Sequence, residues 1–123
     1  MKLSVEWEVK MEDSLIEILG SLGYRVLRQG SLSPDEDYPD NFFTFWNNDS
    51  PDHSHYNNNE YGTDWDFDVN FYSNDPAKTY SELAKARKKL KEAHWIVPGK
   101  GYDVASDEVT HTGRGIRVFY LEV

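Results

Sequence analysis

The chain has 123 residues, of which 38% are hydrophobic and 15% aromatic, with no cysteine and a net charge of −9. That length predicts a single domain spanning 1–123, able to bury about two thirds of the surface its unfolded chain exposes. The missing cysteines exclude disulfides, thiolate chemistry and Cys-based zinc sites, and the acidic balance disfavours nonspecific binding to duplex DNA, whose phosphates need cationic neutralisation.

From Met1 to Lys10, charged and apolar residues alternate without a continuous apolar stretch. No signal peptide is expected there, and nothing elsewhere approaches the ~20 apolar residues of a membrane span. Leu3, Val5, Trp7 and Val9 fit a strand, or a backward extension of the helix that follows, and the pattern leaves both open. Leu15, Ile16, Leu19 and Leu22 recur at helical spacing across Met11 to Leu22, with Gly23 as the residue that ends the helix. Arg25 to Gln29 is expected to be a short strand, Ser31 to Asp40 a loop and Asn41 to Asn47 an aromatic strand. Asn48 to Gly62 has almost no aliphatic residues, which predicts a loop that is mobile or ordered by a partner.

Thr63 to Ser73 carries the clearest pattern in the chain. Trp65, Phe67, Val69 and Phe71 share one face, and Asp64, Asp66, Asp68 and Asn70 the other, as a half-buried antiparallel strand requires. Asp75 and Pro76 supply an N-cap and a first helical proline for a helix reaching about His94. Its expected core stripe is Tyr80, Leu83, Ala86, Leu90 and Ala93. Trp95 to Val97 and Tyr102 to Ala105 read as strand pieces around a turn, and Ser106 to Gly113 as a polar connection. The last strand, Gly115 to Val123, is apolar on both faces and so belongs inside its sheet or packed on both sides. The resulting fold class is α+β, a mostly antiparallel sheet with two main helices in the order (β)-α-β-β-β-α-β-β.

Charge is segregated along this order. Residues 76–94 hold Lys78, Lys85, Arg87, Lys88, Lys89 and Lys91 against two acids, a net of +4, which leaves −13 for the remainder. A basic helix on an acidic protein reads as a solvated face, or as one half of a contact between identical copies.

Several motifs carry residue types that chemistry could use. Asp64, Asp66 and Asp68 project at ~7 Å intervals, as carboxylates for acid–base work or a metal do. The same spacing describes a solvated face, or an acidic docking or channel-facing surface. His53 and His55, near Asp49 and Asp52, are metal-capable but sit in the polar loop with no third ligand fixed. Glu8-Val9-Lys10 matches half of a nuclease-type triplet without its preceding strand Asp. Gly99-Lys100-Gly101 and Gly113-Arg114-Gly115 read as turns and lack phosphate-loop spacing. His94 and His111 are expected to cap or pack. No catalytic constellation emerges, so the expectation is a structural protein with no cofactor and no metal.

From Phe42 to Val123 the chain resembles the small tail terminator, or tail-completion, proteins of long-tailed phages and prophages. The pieces that carry the resemblance are FFTFW, YGTDWDFDVNFYSNDP, the helix with its KEAHW exit, GKGYDVASDE and THTGRGIRVFYLE. The N-terminal helix-Gly-Tyr-strand unit fits the same pattern. The resemblance implies an α+β domain that forms a ring-shaped homo-oligomer, often a hexamer, capping the tail tube at the head–tail junction. It implies tail-tube and head-completion proteins as partners, a place in the virion tail after assembly in the host cytoplasm, no membrane, no specific nucleic-acid binding and no enzymatic activity. The resemblance assigns no individual residue; the charge segregation offers Lys85, Lys88 and Lys89 on the basic helix and Asp64, Asp66 and Asp68 on the acidic strand as candidate inter-subunit contacts. Two other readings compete: a small metal-dependent hydrolase or nuclease built on the same aspartates, and an acidic inhibitor of a host nucleic-acid enzyme.

Overall fold

The computed structural model describes residues 2–29, 37–48 and 64–121, with side chains from Lys10 onward and Asp64 excepted. The polar stretch holding Asp49, Asp52, His53 and His55 lies outside the described residues, as does Val123. The chain runs α1 (Lys2–Gly20), β1 (Arg25–Arg28), β2 (Asn41–Asn47), β3 (Asp64–Ser73), α2 (Pro76–Glu92), β4 (Tyr102–Val104) and β5 (Thr112–Leu121). The α+β expectation therefore holds. The first ten residues take the helical option, and Glu8-Val9-Lys10 lies within α1.

One five-stranded sheet has the spatial order β1-β2-β3-β5-β4, with β1 parallel to β2 and every other pair antiparallel. In β3 the predicted facing holds, with Trp65, Phe67, Val69 and Phe71 buried against the helices, but the strand is not half-buried: Asp66 and Asn70 on the other face are buried as well. The four apolar side chains meet Phe43 and Phe45 of β2, Ile116 and Val118 of β5, Met11, Leu15 and Leu19 of α1, and Leu83, Ala86 and Leu90 of α2 in one continuous core. Both helices thus cover the same face of the sheet. Strand β5 lies inside the sheet between β3 and β4, as its two-sided apolarity requires.

Local signals explain the element ends. Asp75 Oδ1 accepts the Ala77 N–H at 3.1 Å, and Pro76 opens α2. Ser73 Oγ accepts the Asp75 N–H at 2.9 Å and donates to Asn41 Oδ1 at 2.6 Å, tying the cap to the start of β2. At the other end His94 has φ 74, in the left-handed region. The His94 and Trp95 N–H groups donate to the Lys91 and Leu90 carbonyls at 3.0 and 2.9 Å, the paired bonds of a Schellman stop.

Three expectations are corrected. Tyr80 does not join the core stripe but is 61% exposed, and Thr79 turns inward in its place with its hydroxyl on the Pro76 carbonyl. Trp95 to Val97 forms a single bridge, Ile96 to Phe119, rather than a strand. Gly113-Arg114-Gly115 is no turn but the first part of β5. A Cβ on Gly113 would stand 2.7 Å from the Tyr72 ring, and one on Gly115 2.1 Å from Asn70 Oδ1. The glycines are there because neighbouring side chains lie across their backbone.

Glu82 is a buried acid on α2. Burial alone would raise its pKa, but hydrogen bonds from Lys85, Tyr24 and Ser81 outweigh it and the net shift is downward. A depressed folded pKa gives stability that is present above the usual carboxylate value and lost as pH falls through the lowered one. Glu82→Gln should therefore cost about 1–2 kcal/mol at neutral pH and flatten the acid limb of the stability profile, measured by urea titration from neutral to acidic pH. His94→Gly should stabilise the fold by about 1 kcal/mol, because glycine adopts the left-handed residue of the helix stop without a Cβ penalty, and thermal unfolding reads it.

Candidate functional site

With both helices on one side, the opposite face of the sheet is where the polar residues of β3 emerge. Cross-strand register sets Asp66 against Phe119, Asp68 against Arg117, Asn70 against Gly115 and Tyr72 against Gly113. Asp66 is only 7% exposed. Its carboxylate takes a two-pronged contact from Arg117, Nε to Oδ1 at 3.0 Å and Nη2 to Oδ2 at 2.6 Å. Asn48 Nδ2 donates to Oδ1 at 3.1 Å, and Trp46 Nε1 donates to Asn48 Oδ1 at 2.7 Å. The hydrogen bonds to Asp66 hold the Arg117 pKa above its ordinary value, and its guanidinium lies 5.3 Å from the Phe119 ring centroid.

This geometry decides what Asp66 can do. A general base needs a free lone pair directed at a proton, and a metal ligand needs an unneutralised carboxylate. Asp66 has three donors on it, two of them from the Arg117 guanidinium, so it acts as a cross-strand clamp. Asp68 is half-buried and accepts a long 3.4 Å contact from the Tyr102 hydroxyl. Burial and then the Asp68 charge push the Tyr102 phenol upward. Asp64 stands opposite Leu121 at the start of β3. Among the described residues no three His, Asp or Glu side chains are grouped to hold a metal ion.

Further along the same face, Phe42 stacks on Tyr72 at 5.3 Å with Tyr38 edge-on to it at 5.7 Å. His111 packs there too, its Nε2 2.8 Å from the Pro39 carbonyl. Thr44 and Asn70 face each other across β2 and β3, both buried, and neither Thr44 Oγ1 nor Asn70 Oδ1 has a hydrogen-bond partner of good geometry. The Tyr72 phenol is raised mainly by burial, an effect that nearby Thr44 partly offsets. Beside this cluster is a cavity of about 170 Å³ lined by Leu27, Tyr38, Phe42, Thr44, Tyr72 and Asp107 among others.

The basic candidates lie on the other side of the molecule. Lys85, Lys88 and Lys89 are all exposed on α2. Lys85 reaches back to Glu82 at 3.0 Å, whereas Lys88 and Lys89 form no ion pair among the described residues. The structure therefore does not bring the basic and acidic candidates together within one chain. Arg117, Asn48 and Tyr102 were not singled out from the sequence, although Arg117, a cation amid the apolar alternation of the last strand, was the visible sign that an aspartate would need a partner.

Gly115→Ala should cost about 1–3 kcal/mol, since its methyl group forces Asn70 out of the clamp-bearing face, and denaturant unfolding measures the loss.

No protein-family model matches the chain, and no curated protein matches its sequence.

Proposed function

We propose that this protein is a structural subunit that assembles into a ring-shaped homo-oligomer and caps a phage tail tube at the head–tail junction, in the virion tail after assembly in the host cytoplasm. The observation that carries the reading is the outward face of α2. Lys78, Lys88, Lys89 and Lys91 stand exposed there without ion pairs among the described residues, on a protein whose net charge is −9. Like charges crowded on one helix repel one another, and a complementary surface relieves that repulsion. The acidic bulk suits a channel through which nucleic acid passes without adhering.

The engagement of Asp66 supports the same reading. A metal-dependent hydrolase built on the β3 aspartates would need that carboxylate open, and Arg117 and Asn48 already occupy it. The resemblance of Phe42 to Val123 to tail terminator proteins names the kind of assembly, with tail-tube and head-completion proteins as the neighbours.

Light scattering coupled to size-exclusion chromatography across a concentration series tests the proposal. The expected result is a discrete multiple of the chain mass, or a monomer that converts to one when tail-tube protein is added. A strict monomer under every condition would overturn it.

A further inference from the structure

The proposed ring needs two surfaces on each subunit, and α2 provides only one. Resting on that reading, we infer that the acidic end of the molecule beside the first turn of α2 receives the basic face of α2 from a second copy of this chain. Of the β3 aspartates, Asp66 is not that acceptor, since its carboxylate is engaged within its own sheet.

The acceptor is assembled from two segments that the fold brings together. Residues 37–40 lie against 107–111 through the contact of His111 Nε2 with the Pro39 carbonyl and the Tyr38–His111 ring contact at 5.7 Å. The charges of Asp107 and Glu108 also help to raise the Tyr38 phenol, after burial. Asp37, Asp40, Asp103, Asp107 and Glu108 are all exposed here, and neither 37–40 nor 101–110 contains a lysine or arginine. Asp103 does pair with Arg114, at 2.8 Å. Of these acids Asp103 lines a groove of about 390 Å³, together with Tyr80, Val104, His111 and Arg114 among others. The same end exposes two apolar side chains, Tyr80 at 61% and Val109 completely. An apolar centre within a charged rim is the composition of a protein interface rather than of a solvated loop.

The donor fits that description in sign and shape. Lys85, Lys88 and Lys89 recur at three and four residues, and so share one side of α2. Lys85 is held by Glu82, and the aliphatic stems of Lys88 and Lys89 can lie over Val109 and the edge of Tyr80 while their ammonium groups reach the acids. Within one chain this pairing cannot form: Tyr80 and Lys89 are nine residues apart on one rigid helix, about 13 Å along its axis. The contact must run between copies, and it joins two different patches, the head-to-tail type that closes into a ring when its rotation permits.

Charge reversal on each patch, singly and together, tests the inference by the same mass measurement, with far-UV circular dichroism confirming that each variant is folded. Lys88→Glu with Lys89→Glu should abolish the oligomer, and so should Asp40→Lys with Glu108→Lys. Combining all four should restore it, because the complementarity returns with its polarity inverted. The wild-type oligomer should also dissociate as salt rises toward ~1 M, where screening acts over about 3 Å. Single reversals that leave a wild-type oligomer intact would overturn this pairing while leaving the ring reading in place. Loss in both singles without recovery in the combination would overturn it as well. A wild-type monomer under every condition would remove the ring reading itself, and this inference with it.

Discussion

Strand β3 can be paired in only one register, and the rest of the molecule is arranged around that fact. Its apolar set, Trp65, Phe67, Val69 and Phe71, must face the helices. A slip of one residue would drive Asp66 and Asp68 beneath α1 and α2 and turn four large side chains to the other side. The clamp between Asp66 and Arg117 holds the same register from the opposite face, because it forms only when Asp68 stands across from Arg117 on β5. The two glycines of β5 complete the arrangement by leaving room for Tyr72 and Asn70.

What could be read from the sequence follows from how local each signal is. The β3 alternation, the Asp75-Pro76 start of α2 and the apolar spacing of α1 each depend on residues a few positions apart. The first two give the facing and the helix start seen, and of the α1 stripe Leu15 and Leu19 are buried while Ile16 is exposed and Leu22 follows the helix end. Tyr80 and Gly113 depended on partners far along the chain. Counting back from Leu83, both Thr79 and Tyr80 fit a helical stripe, and size alone favours the tyrosine. Tyr80 instead stands outward, with the Arg114 guanidinium 4.3 Å from its ring centroid. Gly113 and Gly115 resembled a turn because glycine has two uses, and only the position of β3 shows that close approach is the one in force.

The candidate surfaces were legible to a lesser degree. Periodicity places the three aspartates on one face, but their consequence depends on the strand that pairs with them. The basic residues of α2 are visible as a run, and no counterpart follows from that run alone. The acidic end arises from 37–40 and 101–110, segments separated in sequence by β2, β3 and α2, which only folding juxtaposes.

The way β1 is attached has a consequence for the order in which the molecule opens. It is a four-residue strand at the sheet margin, joined in parallel to β2 alone and fastened to α1 by Arg28 and Glu12. Its backbone amides bond to one neighbour, while those of β3 bond to two. Strand β1, exposed or half-buried along its length, can therefore part from β2 while α1 keeps Met11, Leu15 and Leu19 in the core. Amide protons of β1 exchange with solvent through a partial opening that costs less than the unfolding needed to expose those at the centre of β3.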